Sequence, residues 1–372
     1  MSIHSEPYVT NMRKHKKCPQ GGCSEGKTAT LFFLLSGEHP TLPFSELKAI
    51  LEAEGHRHQI LERLIQVLRV RANLDAVRSI AFRSAMTRVC GRELFNCGAN
   101  AAEIIKKMRE ASLEGLIEGD KSFAVRLRRI RGSAPHIMSA EWEQKLGELI
   151  LNKAKGIEVD LTKPKKTFFG VLTENRFIFG LKMTEVSPKP FIERKPRKRP
   201  FFHPTAMPAK LARCMVNLAK PKIGELVLDP FCGTASIPVE AGLIGCRVMG
   251  LDVQRHMVEG SLKNLLYYGV KPEGMAVADA RHLPVSKADC IVTDPPYGRS
   301  ATTLGLTTGE VVYDMLREVI DVLPGEGRIC MASPKSIRIG RMGKALGFRH
   351  VESHYVYVHR SLTREVAVFE RT

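Results

Sequence analysis

The chain has 372 residues, more than one hydrophobic core normally holds, so more than one domain is expected. Its 57 Lys and Arg against 39 Asp and Glu leave a formal net charge of +18, and its 44% hydrophobic content is that of a globular protein, not a disordered one. This balance favours a polyanionic partner through counterion release at phosphates, and no apolar run is long enough to span a bilayer.

Residues 1–29 are mostly polar and carry Arg13, Lys14, Lys16 and Lys17. They read as a flexible basic tail with no secretory apolar region. Cys18 and Cys23 form one loose pair there, with no second pair at finger-like spacing, so no metal site is expected. Nine scattered cysteines are a poor disulfide framework and point to a reducing cytoplasm. From Thr30 the pattern changes. Leu31-Phe32-Phe33-Leu34-Leu35 predicts a strand ending at Ser36-Gly37. Ser45 is placed to cap a helix running to Glu54. Residues 61–70 read as one more strand or a short helix, and 73–89, 101–111 and 141–153 as helices. Phe123, Val125 and Leu127 alternate with Ala124, Arg126 and Arg128, which predicts a half-buried strand with a basic outer face. This mixture suggests an α+β half.

Residues 189–200 hold six Lys or Arg, one acid and three prolines, and read as a stiff basic linker placed to touch phosphate. Beyond it the chain alternates. Strands are expected over 226–229, 247–252, 275–279, 290–294 and 328–332, and helices over 206–219, 235–244, 255–268 and 311–323. Two last strands, 354–359 and 365–369, are expected to be joined by 360–364. Strand–helix alternation implies a doubly wound parallel sheet with a terminal hairpin on its edge.

Four acidic residues end predicted strands, where such a sheet binds its ligand. Asp229 opens Asp229-Pro230-Phe231-Cys232-Gly233-Thr234 just before a helix, and Gly233 allows close backbone approach. Asp252 is placed to accept the hydroxyls of a ribose, and Asp279 to reach an adenine edge. The G-x-G-x-x-G pattern that a pyrophosphate needs is missing, so an acid-rich site of this kind suits a sulfonium cofactor, S-adenosylmethionine. The fourth acid lies in Thr293-Asp294-Pro295-Pro296-Tyr297-Gly298. The exocyclic amine of a base is a poor nucleophile, because its lone pair is delocalised into the ring. Asp294 and the Pro295 carbonyl suit its two N–H bonds, localising that lone pair for in-line attack, and Tyr297 suits stacking on the base.

Asp294-Pro295-Pro296-Tyr297 resembles the signature of the amino-methyltransferases among the class I methyltransferases. His203-Pro204, Leu211-Ala212-Arg213, the Asp229–Thr234 segment, Gly298-Arg299-Ser300 and His359-Arg360-Ser361-Leu362-Thr363-Arg364 look like the archaeal tRNA guanine-10 N2-methyltransferase family. Segments 123–132, 159–161 and 177–180 resemble a THUMP domain, and Leu35-Ser36-Gly37-Glu38 resembles the start of a ferredoxin-like domain ahead of it. The resemblance implies a Rossmann-like methyltransferase domain over 204–372, a linker over 184–203, a THUMP tRNA-binding domain over 86–183 and a ferredoxin-like domain over 30–85. It implies mono- and dimethylation of guanine N2 in tRNA, with the THUMP domain gripping the tRNA 3′ end. Asp294, Pro295, Pro296 and Tyr297 form the expected catalytic set. Asp229, Pro230, Phe231, Cys232, Gly233, Thr234, Asp252, Asp279 and Ala280, with His203 and Thr205, form the expected cofactor set. A monomer is expected. Where the family has Gly-Thr-Gly, this chain has Gly233-Thr234-Ala235, whose added methyl either narrows the cofactor loop or, being small, is tolerated there. Three other readings stand beside this one: a guanine-6 N2-methyltransferase of tRNA, an N6-adenine DNA methyltransferase, and a non-catalytic RNA-binding protein on a dead methyltransferase fold. The tRNA-type N-terminal half argues against DNA, and the four intact acids argue against a dead site.

Overall fold

The computed structural model describes residues 27–114, 116–117, 122–154, 156–297 and 306–372. Residues 1–26 of the basic tail, with Cys18 and Cys23, and Gly298-Arg299-Ser300, lie outside the described residues, while Thr28 and Ala29, expected in the tail, already belong to the first strand. The N-terminal half runs β1 (Thr28–Leu35), α1 (Leu42–Ala53), β2 (His58–Leu64), β3 (Val67–Asn73), α2 (Ala76–Arg83), β4 (Thr87–Gly98), α3 (Ala101–Glu110), β5 (Ser122–Arg129), α4 (Ser139–Leu151), β6 (Glu158–Val159), β7 (Lys166–Thr173), β8 (Arg176–Glu185) and α5 (Lys189–Glu193). Its eight strands form one sheet in the order β2-β3-β1-β4-β8-β7-β5-β6. The sheet runs unbroken past residue 85, through the β1–β4 pairing. Its helices cover two apolar cores, one around Leu31, Phe33, Leu47 and Ile80, the other around Phe123, Trp142, Phe168 and Phe179.

Three local expectations are corrected here. Residues 61–70 are neither one strand nor a helix but parts of a hairpin, because Gln66 turns the chain at φ 59° and β3 then pairs with β1. The helix expected over 73–89 stops at Arg83. Glu46 of α1 accepts the backbone N–H groups of Ala85 and Met86, both at 2.9 Å, and this pulls the chain into extended β4. α1 begins at Leu42 with Pro43 in its first turn, so Ser45 is inside the helix, donating to Glu352 at 2.6 Å.

The C-terminal half runs α6 (Ala209–Leu218), β9 (Leu226–Asp229), α7 (Ser236–Leu243), β10 (Arg247–Asp252), α8 (Arg255–Tyr267), β11 (Gly274–Val277), β12 (Cys290–Thr293), α9 (Thr308–Val322), β13 (Arg328–Pro334), α10 (Ile339–Ala345), β14 (Phe348–His359) and β15 (Leu362–Arg371). Its sheet order is β11-β10-β9-β12-β13-β15-β14, with the first five strands parallel and β15 antiparallel to both its neighbours, β13 and β14. One face packs on α6 and α7, the other on α9 and α10. The order reverses between β9 and β12, which opens the ligand crevice there. The terminal hairpin is longer than expected: Leu362, Thr363 and Arg364 are not connector but β15, paired with Tyr357 and its neighbours. Helix α10 was not foreseen.

The two halves meet through buried polar groups. Glu46, fully buried, also accepts from Ser84 at 2.7 Å and from Asn217 of α6 at 3.0 Å. Arg83 bonds Glu54 at 2.7 Å and Asn217 at 3.2 Å. On β14, His354 meets Thr41 at 2.7 Å. The stretch 189–200 is not the solvated spacer its charge suggested. Arg194 grips Glu240 of α7 at 2.6 and 3.0 Å, Arg213 joins the same carboxylate at 2.9 Å, and Arg199 reaches Ser236 and the Met207 carbonyl. Two of its six cations are therefore buried against the C-terminal half, while Lys189, Lys195, Arg197 and Lys198 face solvent. No helix among the described residues is long and apolar enough to cross a membrane.

Candidate active site at the strand switch

The crevice is built from β9 and β12 outward. Asp229 ends β9 almost fully buried, and its Oδ1 accepts the Thr293 hydroxyl at 2.7 Å and the Phe231 N–H at 3.2 Å. Burial pushes its carboxyl up to about 7, against those two donors, and nearby Asp294 adds to the rise. Pro230 to Thr234 then turn toward α7. Gly233 sits at φ 51°, a backbone that suits glycine, and a Cβ there would meet only the Phe231 carbonyl, at 3.9 Å. Its N–H donates to Asp252 at 3.1 Å, and its carbonyl accepts from Ser261 at 2.6 Å. Cys232 is buried, its N–H on the Leu251 carbonyl at 2.7 Å. Thr234 is buried, its carbonyl held by Asn264 at 2.9 Å. Asn264 also clamps both polar groups of Phe201, at 2.9 Å each. Ser261 and Asn264 escaped the sequence reading, although two buried polar residues three apart on one helix are a usable signal.

Ala235 takes φ 59°, left-handed backbone at the head of α7. Its methyl is fully buried in the α6–α7 core, in keeping with the alternative that so small a side chain is tolerated there. The departure from glycine acts through the backbone.

Asp252 ends β10 with Oδ1 on the Gln254 N–H at 2.9 Å and Oδ2 on that of Gly233. Burial raises its pKa, and the two N–H groups, His256 and His203 oppose the rise. His203 is half-buried and bonded to Thr205 at 2.8 Å, with Thr205 exposed. Asp279 lies two residues past β11 and is not the open acceptor the sequence suggested. Arg281 holds it at 2.6 and 3.0 Å and keeps its carboxyl below the usual range. Ala280 beside it is buried in the core under α9.

Asp294 follows β12 directly, across the reversal from Asp229. Its side chain is 15% exposed, and burial pushes its carboxyl up to about 7. Pro295 is buried, and Pro296 and Tyr297 are half-buried. The Tyr297 hydroxyl donates to Asp294 Oδ1. Arg364, carried on β15, brings Nη2 to 3.5 Å from Oδ2 and its Cζ to 5.2 Å from the Tyr297 ring centre. The sequence reading left Arg364 in the hairpin connection; only the antiparallel register opposite Pro334 brings it here. Asp229, Asp252 and Asp294 thus share one end of the sheet, with Asp279 at its flank. The groups here are carboxylate acceptors and backbone N–H donors, a chemistry that suits ribose hydroxyls, amines and a cationic sulfonium and disfavours a pyrophosphate.

Residues 98–181 match the THUMP domain family, and residues 196–365 match the family described as an RMKL-like methyltransferase domain. The tRNA (guanine(10)-N2)-dimethyltransferase of Methanothermobacter thermautotrophicus is 38% identical over 351 residues, spanning 92% of this chain and 99% of that one. The tRNA (guanine(6)-N2)-methyltransferase of Thermus thermophilus is 31% identical over 253 residues, 65% of this chain and 72% of that one. The crystal structure of TrmN from Thermus thermophilus has a TM-score of 0.53 at 22% identity, covering 92% of this chain and 100% of that one, a likeness of fold. Identity over nearly the full length of both chains, on a THUMP module joined to a methyltransferase sheet, means that the protein belongs to the tRNA (guanine(10)-N2)-dimethyltransferase family, enzymes that use S-adenosylmethionine.

Proposed function

We propose that the protein methylates the exocyclic N2 of guanine 10 in tRNA, first to N2-methyl- and then to N2,N2-dimethylguanosine. The observation that carries this reading is Asp294, desolvated at the mouth of the strand switch and one strand away from Asp229. S-adenosylmethionine, when bound, supplies an electrophilic methyl group. Asp252 would hold its ribose, and the Pro230–Thr234 turn with the head of α7 would hold its amino-acid end. Asp279, Ala280, His203 and Thr205 would line the adenosyl side. Asp294 and the Pro295 carbonyl accept the two N–H bonds of the guanine amine and orient its lone pair. A carboxyl near 7 also suits taking up the proton that the amine sheds after methylation. Tyr297 stacks on the base once its hydroxyl has yielded Asp294 to the amine.

Residues 86–183 serve as the tRNA grip and 204–372 as the methyl-transfer domain. Arg126 and Arg128 on β5, with Lys189, Lys195, Arg197 and Lys198, meet phosphates, and their binding energy offsets the few kcal/mol needed to flip a stem guanine. We read the enzyme as a monomer of the reducing cytoplasm, in keeping with free, buried thiols at the seven described cysteines. The test is methyl transfer to unmodified tRNA with the product nucleotide mapped. Asp294→Asn should lower kcat on the order of 10²-fold or more with cofactor and tRNA affinity kept. Near wild-type turnover by that variant defeats the mechanism. Modification of guanine 6 in place of guanine 10 moves the protein to the reading that the Thermus thermophilus relative favours.

A further inference from the structure

Arg364 is 9% exposed, and nothing in the reading above gives it work. It reaches the switch point only because β15 runs antiparallel to β13, pairing Pro334 with Arg364 on one side and Val356 with Arg364 on the other. There its Nη2 lies 3.5 Å from Asp294 Oδ2, while the Tyr297 hydroxyl donates to Oδ1 of the same carboxylate. Its Cζ stands 5.2 Å from the centre of the Tyr297 ring. Its buried Nε has no hydrogen-bond partner among the described residues. A guanidinium buried merely to hold the hairpin would spend its donors on carbonyls, as Arg129 does with those of Ser133, Ala134 and Ile137. Arg364 instead faces one carboxylate and one aromatic ring, both belonging to the catalytic set.

We infer that Arg364 is a positioning residue for methyl transfer: it keeps Asp294 charged and oriented, and it backs the Tyr297 ring so that carboxylate and ring meet the target base as one unit. The inference rests on the role proposed for Asp294. At 3.5 Å the guanidinium is too far for a closed, short ion pair, so it acts by charge while leaving Oδ2 able to accept an N–H. Only arginine serves both contacts, since its planar cation suits an aromatic face and a carboxylate together. Among the described residues, the charged and titratable groups facing Asp294 are Asp229, which opposes its ionisation, Tyr297, and Arg364, which favours it. Burial drives the Asp294 carboxyl upward, and Arg364 pulls it back toward the range where it is ionised at neutral pH.

The full chain tests this with Arg364→Met, Arg364→Lys and Asp294→Asn, assayed by single turnover on tRNA across pH, by calorimetry with S-adenosylmethionine and by thermal unfolding. Arg364→Met should lower the rate at pH 7 by about tenfold, with the acid limb of the rate profile moved up by about one pH unit. Cofactor affinity should stay within about twofold, because Arg364 does not touch that side of the crevice. Arg364→Lys should return the acid limb toward its wild-type position while recovering only part of the rate, since it restores charge but not the flat stack. A wild-type rate and limb in Arg364→Met overturn the inference. Should Arg364→Met fail to fold, Arg364→Lys decides alone: a full wild-type rate there overturns the stacking role. If Asp294→Asn itself keeps turnover, the proposed mechanism falls; if that variant is inactive while Arg364→Met is unaffected, only the role of Arg364 falls.

Discussion

Asp252 and Asp294 end neighbouring parts of one sheet, yet they are held in opposite ways. Both oxygens of Asp252 rest on backbone N–H groups, those of Gln254 and Gly233. Both oxygens of Asp294 face side chains, Tyr297 from three residues on and Arg364 from the last strand. Backbone donors cannot swing away, so Asp252 is pre-organised before any ligand arrives. Side-chain partners exchange, so Asp294 has contacts that an incoming amine can replace. The contrast fits the proposed roles, in which Asp252 binds the cofactor and Asp294 takes part in the chemistry.

After the loss of turnover expected of Asp294→Asn, breaking the binding side should give the next largest effect. Asp252→Ala should weaken S-adenosylmethionine by about 10- to 100-fold, the loss of charge-assisted hydrogen bonds to the ribose. Unchanged affinity by calorimetry would move ribose recognition to another residue. A smaller effect sharpens the chemical side. Asp229, held near 7 by burial, lies above an unfolded-state value of about 3.9, so between these values the folded protein binds a proton that the unfolded chain does not. The resulting stabilisation is full below about pH 4 and is lost as pH rises through about 7. Asp229→Asn keeps an acceptor for Thr293 and Phe231 but carries no charge, so its stability relative to wild type should improve between pH 5 and pH 8, on the order of 2 kcal/mol. The same offset in thermal unfolding at both pH values would show a carboxyl that titrates normally. The smallest effect belongs to Ala235→Gly. Relief of the left-handed backbone, roughly 1–2 kcal/mol, is set against a buried methyl worth about 0.8 kcal/mol and the greater unfolded entropy of glycine. The net change should stay under about 1 kcal/mol, and a shift in urea midpoint equivalent to more than about 2 kcal/mol in either direction would contradict that balance.

The acids at the strand ends were legible because a doubly wound sheet brings such positions together whatever its loops do. The alternation after residue 204 located the strands of the parallel sheet to within a few residues. What stayed hidden depends on contacts distant in sequence. Nothing local ends α2 at Arg83; Glu46 of another helix does, by capturing the next two N–H groups. Arg281 shares a turn with Asp279, but sequence does not tell a salt bridge from a solvated neighbour. Charge misled most in the linker, where Arg194 and Arg199 looked like phosphate ligands until Glu240 and Ser236 were found to hold them inside. Arg364 needed the register of β15, which no spacing in the chain encodes.

The polar seam between the halves has a consequence for the stability of the whole chain. Glu46, Arg83, Arg213 and Asn217 are buried only while α1 and α2 rest on α6. Parted, the C-terminal half would show water Arg213 and Asn217 beside apolar Leu211, Ala212 and Met215, and the N-terminal half Glu46 and Arg83 beside Leu42 and Ala49. Separation would leave these buried charges and amides without their partners, a cost that couples the stability of the two halves. A substitution on the N-terminal side of this seam should therefore lower the thermal stability of the C-terminal half as well.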